Sequence, residues 1–143
     1  MLAALLAAVL LAPAPDLKVE AVSVPDSAAS PGMLRAPTSL ANDGARRSAR
    51  SHTRYWLSRD AERGQDIRLR YIRVPRIAPG AIWSTKAELH VPAFTKTGDY
   101  HLVACADSGR DVTERSEKNN CRVSRDTVSI ARRTAPQVPP GPR

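Results

Sequence analysis

Wherever this chain carries a readable pattern, apolar side chains recur at every second residue, and that period restricts the fold more than any other feature. Trp83, Thr85, Ala87, Leu89 and Val91 form the longest stripe, set against Ser84, Lys86, Glu88 and His90. An extended strand sends successive side chains to opposite faces, whereas an amphipathic helix would repeat near 3.6 residues. The same alternation recurs over residues 18–24, at Leu34, Ala36, Thr38 and Leu40, and at Thr53, Tyr55 and Leu57. It returns at Ile67, Leu69 and Tyr71, and at Tyr100, Leu102, Ala104 and Ala106. Residues 121–123 and 127–130 supply a last strand, with a bulge between its halves. Turn signals separate the pieces: residues 25–32, Asn42-Asp43-Gly44, the polar loop 60–66, Pro75 and Pro79-Gly80. Pro37 sits awkwardly inside the second run and predicts an edge or a bulge there. About seven short strands in roughly 115 residues predict an all-β fold of two packed antiparallel sheets.

At 143 residues the chain has room for one domain. Aromatic residues make up only 4% of it, so the core must rest on Leu, Val, Ile and Ala. Residues 1–11 are Met, Leu, Ala and Val only. That run is too short for a bilayer, where roughly 20 residues are needed. It matches the apolar core of a secretory signal, and Ala12-x-Ala14 has the small residues that a signal peptidase accepts. Two features depart from the pattern: no Lys or Arg precedes the run, and Pro15 follows the cut. The expected organisation is a signal peptide over residues 1–14, a folded domain over 15–133 and a disordered Pro-rich tail over 134–143. Lys and Arg number 22 against 14 Asp and Glu, a net charge of +8 that loss of residues 1–14 leaves unchanged. Such a balance favours acidic surfaces such as anionic glycans or envelope polymers. Nucleic acid is not indicated, because the arginines come with no recognition helix and no aromatic platform.

Cys105 and Cys121 are the only cysteines. In an exported protein their default state is a disulfide, closing a loop of about 16 residues and worth roughly 3 kcal/mol. A metal site would lack partners, since His52, His90 and His101 have no ligand spacing.

Several segments taken in order resemble one family. They are Pro15-Asp16-Leu17, Pro31-Gly32, Asn42-Asp43-Gly44, Tyr55-Trp56-Leu57-Ser58-Arg59-Asp60 and Ile77-Ala78-Pro79-Gly80. Then come the run from Gly98 through Tyr100 and Cys105 to Asp107, and the run from Val112 through Glu117 to Asn119-Asn120-Cys121. Together they resemble the CARDB domain, the cell-adhesion-related domain of bacterial exported and surface proteins. The resemblance spans residues 17–130 and implies an immunoglobulin-like β-sandwich with a role in binding or adhesion and no catalytic residues. One departure stands out, Pro37 with the arginine-rich Arg46-Arg47-Ser48-Ala49-Arg50; such domains usually accompany a second module, and this one is expected to stand alone.

Individual positions then acquire expectations. Tyr100, after Gly98, reads either as a tyrosine corner or as an ordinary core residue. Asn119 and Asn120 suit a turn beside the cysteines. Arg54 and Trp56 lie on the face opposite Tyr55 and Leu57, and Trp56 reads either as packing under a loop or, with Arg54, as a partner-binding pair. Trp83 is expected in the core. Asp60, Glu62 and Asp66 share one loop and are a weak candidate for calcium, which wants several such oxygens. Their spacing lacks the EF-hand pattern, and Arg59 and Arg63 oppose a cation, so no cofactor is expected. Asp107, Asp111 and Glu114 are a second weak cluster. No Gly-x-Ser-x-Gly elbow, phosphate loop or assignable carboxylate pair is present, so an enzyme is not expected. The expected function is an exported, non-catalytic binding or adhesion-type module that recognises a protein or glycan, with acidic character, at the bacterial cell surface or outside the cell. The alternative is a secreted inhibitor or a structural accessory subunit of an enzyme or envelope assembly.

Overall fold

In the computed structural model, residues 13–61, 66–107 and 120–134 are described. The leader up to residue 12, the tail from residue 135, and Glu62, Asp111, Glu114 and Asn119 lie outside them. The described residues form nine strands and no helix. They are β1 (Leu17–Val22), β2 (Ser27–Ser30), β3 (Gly32–Asn42), β4 (Ser51–Ser58), β5 (Ile67–Val74), β6 (Ile82–Val91), β7 (Gly98–Cys105), β8 (Cys121–Val123) and β9 (Val128–Arg132). One sheet has the order β1-β3-β6, and the other β2-β9-β7-β4-β5, with β8 also on β7.

The alternating stripes meet between these sheets. Leu34, Ala36 and Leu40 of β3 and Ala87, Leu89 and Val91 of β6 face Tyr55 and Leu57 of β4 and Tyr100, Leu102 and Ala104 of β7. All are buried, and removing their apolar surface from water is the main force holding the sheets together. Trp83 continues the β6 stripe but sits at its rim, half-buried against the core rather than within it.

The all-β fold of two packed sheets is as expected, and it differs in detail. The strands number nine, and one pairing is parallel: residues 27–30, read as part of a turn, form β2 and pair with β9. The last strand is divided, because β8 and β9 take different stretches of β7. Ser124 bridges the division. Its N–H donates to the Leu102 carbonyl at 2.8 Å, and its Oγ accepts the Leu102 N–H at 2.9 Å. Pro37 lies in the central strand of its sheet, yet its carbonyl accepts from Ser23 N–H, one residue past the end of β1. A strand residue points its N and C=O to the same side, so the missing donor faces a place where the ladder has stopped.

Asn42 ends β3 and ties three segments together. Its Oδ1 accepts from Asp16 N–H and Gly44 N–H, both at 3.0 Å, while Nδ2 donates to the carbonyls of Arg46 (2.7 Å) and Ile77 (2.9 Å). A Cβ on Gly44 would run into the backbone of Ala14 and Asp16, which packs directly against it. The Ala14 carbonyl also accepts from Ala45 N–H at 3.1 Å, so the last residue of the expected leader touches the domain.

Candidate partner-binding face

Strands β4 and β5 lie side by side at one end of the larger sheet. Neither strand contains an Asp or Glu. Burial alternates along β4 from Ser51 to Leu57: Thr53, Tyr55 and Leu57 point inward, and His52, Arg54 and Trp56 lie half-exposed on the outside. Across the ladder His52 pairs with Arg73, Arg54 with Tyr71, and Trp56 with Arg68. From Arg54 to Trp56 is two residues, but from Tyr71 to Arg68 is three, so β5 carries a bulge. The extra residue moves Tyr71 to the outside, where it is 40% exposed, although simple alternation from Ile67 and Leu69 puts it in the core.

The outward side chains interlock. The Arg54 guanidinium lies over the Tyr71 ring, 4.8 Å from its centroid, and its Nη1 donates to the Leu69 carbonyl at 3.3 Å. The His52 ring meets Tyr71 edge-on, with centroids 4.8 Å apart. Burial pushes the Arg54 guanidinium below its ordinary pKa, and the charge of Arg68 lowers it further, with only partial opposition from Tyr71. Among the described residues no ion pair reaches Arg54, Arg68 or Arg73. Trp56 also pairs with Val103 of β7, which is buried between Trp56 and Val123 along the ladder. Arg54 and Trp56 are thus brought to one face.

A second cluster lies at the end of the sheet. Tyr100 is buried, and its hydroxyl donates to the Lys96 carbonyl at 2.8 Å, four residues upstream, which is tyrosine-corner geometry. It accepts from Arg59 Nη2 at 3.1 Å. Gly98, with φ of 157°, has backbone that side chains seldom adopt, and an added Cβ would meet Arg59 at 3.3 Å. Asp60 and Asp66 both line a depression of about 440 Å³ here, together with Arg59, Lys96, Phe94 and Tyr100. Asp60 Oδ1 accepts from Ser58 Oγ at 2.6 Å. The two carboxylates therefore share their hollow with two cations. Among the described residues no three His, Cys, Asp or Glu gather as metal ligands.

Cys105 and Cys121 are directly opposed on β7 and β8, with Cα atoms 4.0 Å apart and sulfurs at 2.02 Å. Beside them Ala106 N–H donates to the Asn120 carbonyl at 2.9 Å.

The family model for CARDB domains matches residues 14–124. The chain belongs to the CARDB family. Solved CARDB structures share its fold. The CARDB domain of a Pyrococcus furiosus protein, solved in complex with di-metal ions, is 20% identical, with a TM-score of 0.59 over 82% of this chain and 90% of that one. A domain of a Methanosarcina acetivorans protein provisionally ascribed to the cell surface is 18% identical, with a TM-score of 0.59 over 82% and 93% of the two chains. A β-glucosidase from Erythrobacter marinus is 16% identical, with a TM-score of 0.55 over 82% of this chain but 16% of the enzyme. The likeness to the glucosidase is thus to one segment of a much longer chain. No curated protein matches. No helix among the described residues is long and apolar enough to cross a membrane.

Sequence reasoning placed Arg54 and Trp56 of this CARDB chain together but missed Tyr71. A signal for it was present. The apolar residues of β5 change parity, from Ile67 and Leu69 to Ile72 and Val74, as a bulged strand requires.

Proposed function

We propose that this CARDB chain is an exported, non-catalytic binding module of adhesion type, which holds a protein or glycan at the bacterial cell surface or outside the cell through the outer face of β4 and β5. One observation carries the reading: Arg54, Arg68 and Arg73 stand beside Tyr71 and Trp56 on strands that contain no carboxylate. Arginines and aromatic rings are the side chains that most often anchor interfaces, and a face of one sign steers acidic partners toward it. Export rests on the apolar run 1–11 and on the likeness in fold to a domain of a protein ascribed to the cell surface. The absence of a catalytic role is supported by the glucosidase comparison, in which the likeness spans 16% of the enzyme.

The test is binding of the labelled chain to the cells and the secreted fraction of its native host. Arg54→Ala combined with Trp56→Ala is expected to weaken retention by about tenfold or more, with an unchanged far-UV spectrum as the check on folding. Full retention by the double variant would overturn the assignment of the face. Intact mass of the exported protein tests the leader: loss of about 14 residues is expected, and a full-length chain refutes export.

A further inference from the structure

The cationic face does not stop at β4 and β5. In the described residues β5 pairs only with β4, and β6 only with β3, so the two sheets present unpaired edges to one another. A groove of about 770 Å³ runs between these edges, lined by Arg70, Tyr71, Arg73, Trp83, Lys86 and Glu88. On the other side of Arg73 a hollow of about 650 Å³ is lined by Arg50, His52, Arg73 and Pro75. Arg73 belongs to both, and Tyr71 joins the groove to the Arg54 side chain. Arg54, Arg68, Arg70, Arg73 and Lys86 on β4, β5 and β6, with Arg50 just before β4, thus form one belt. The carboxylate in that belt, Glu88, already has its Oε1 3.6 Å from Nε of Arg35.

Neighbouring strands lie about 4.8 Å apart, and alternate residues of a strand about 6.7 Å apart. The charge of Arg68 acts on Arg54, and charges within a Debye length, roughly 8 Å at physiological salt, are only partly screened. The belt sets six cations against one described carboxylate, Glu88, which Arg35 shares. Edge strands do place charges to block unwanted strand pairing, which accounts for Arg70 and Lys86. That explanation does not reach Arg54, on an interior strand, or the aromatic rings set among the cations.

We infer that this belt binds a linear polysaccharide carrying an anionic group on its sugars, laid across the strands from the Arg50–His52 hollow over Arg73 into the groove beside Lys86. The inference rests on the reading of the outer face as a binding surface and names its ligand class. Guanidinium groups bind carboxylate, sulfate and phosphate oxygens and also donate to sugar hydroxyls. The layout disfavours the other polyanions. Stacked bases need open aromatic faces, whereas Tyr71 has Arg54 over its ring and His52 at its edge. An acidic peptide adding as a strand would run along β5, where the bulge breaks the regular spacing of ladder hydrogen bonds, rather than across it.

The test is calorimetric titration of the full chain with polygalacturonate and with heparin, which separate carboxylate from sulfate, alongside neutral dextran, poly-L-glutamate and a single-stranded oligonucleotide. Binding to one or both anionic glycans is expected, with none to dextran and a log–log salt slope of about −3, as for roughly four released counterions. Arg70→Glu with Arg73→Glu should weaken it about tenfold or more, while Arg125→Glu with Arg132→Glu, the same charge change beyond the belt, should leave it within about twofold. Equal losses in the two double variants would reduce the effect to net charge and overturn the site. Tighter binding of the oligonucleotide or of poly-L-glutamate would overturn the ligand class. Failure of both glycans to bind, with cell binding still dependent on Arg54 and Trp56, would end this inference and leave the broader function standing.

Discussion

Tyr55, at the centre of the larger sheet, donates its phenolic hydrogen to Thr38 Oγ1 of the smaller sheet at 3.0 Å, so a hydrogen bond crosses an otherwise apolar core. Thr38 Oγ1 in turn donates to the Ala36 carbonyl at 3.1 Å, which leaves its lone pairs for Tyr55. Tyr55 is fully buried, and burial pushes its phenol up to about 12, with the Thr38 contact opposing the shift. The unfolded chain releases this proton near the ordinary value, about 10. The folded state holds the proton more tightly, so the contribution is complete below about pH 10 and is lost as the pH rises toward 12. A difference of about two units corresponds to roughly 3 kcal/mol. Urea unfolding between pH 9 and about 12 should show stability falling with pH, and Tyr55→Phe should flatten that fall while costing about 1 kcal/mol at neutral pH. An unchanged slope in the variant would mean that other groups set the alkaline limit.

Asn42 uses both lone pairs of its oxygen and both hydrogens of its amide, all inside the protein. It holds the start of β1, the turn after β3 and the segment before β6 at one point. Asn42→Ala removes all four bonds and strands buried backbone groups, with an expected loss of about 3 kcal/mol or more. Asn42→Asp should cost at least as much, because a carboxylate has no hydrogens for the Arg46 and Ile77 carbonyls and is buried without a cation. Chemical denaturation of the two variants checks this, and a loss below about 1 kcal/mol in both would show that the junction is held by packing instead.

These two residues mark what the sequence made legible. Thr38 and Tyr55 fall on inward faces by period-two counting, as do the β3, β6 and β7 stripes, because β6 and most of β3 alternate between a buried and a wet face; β7 alternates only as far as Leu102, after which Val103, Ala104 and Cys105 are all buried. Asn42 was visible only as a turn former; its four partners come from positions up to 35 residues away, which no local pattern encodes. Strand β2 has only four residues, two of them serine, and gains its place by pairing with β9 from the far end of the chain. The face around Arg54 was half legible. Alternation exposed Arg54 and Trp56, but the bulge that turns Tyr71 outward and the edge-to-edge groove are products of register and of packing between sheets.

The disulfide closes the part of the larger sheet that has least else to hold it. Strand β8 has three residues and among the described residues pairs only with β7, and residues 106–120 separate the two cysteines. A cross-link over 16 residues removes loop entropy from the unfolded chain worth roughly 3 kcal/mol. Reduction, or Cys105→Ala with Cys121→Ala, should lower unfolding stability by about that amount. The effect should also be local. Strand β9 retains its own pairing to residues 98–100 and its parallel contact with β2, so it does not depend on the link. Hydrogen exchange in the reduced protein should therefore accelerate first at Arg122 and Ser124, whose N–H groups face β7, with Ser129 and Ile130 still protected. Uniform acceleration across β8 and β9 would mean that the two behave as one cooperative strand, and a stability change below about 1 kcal/mol would mean that β8 is held by its ladder and not by the bridge.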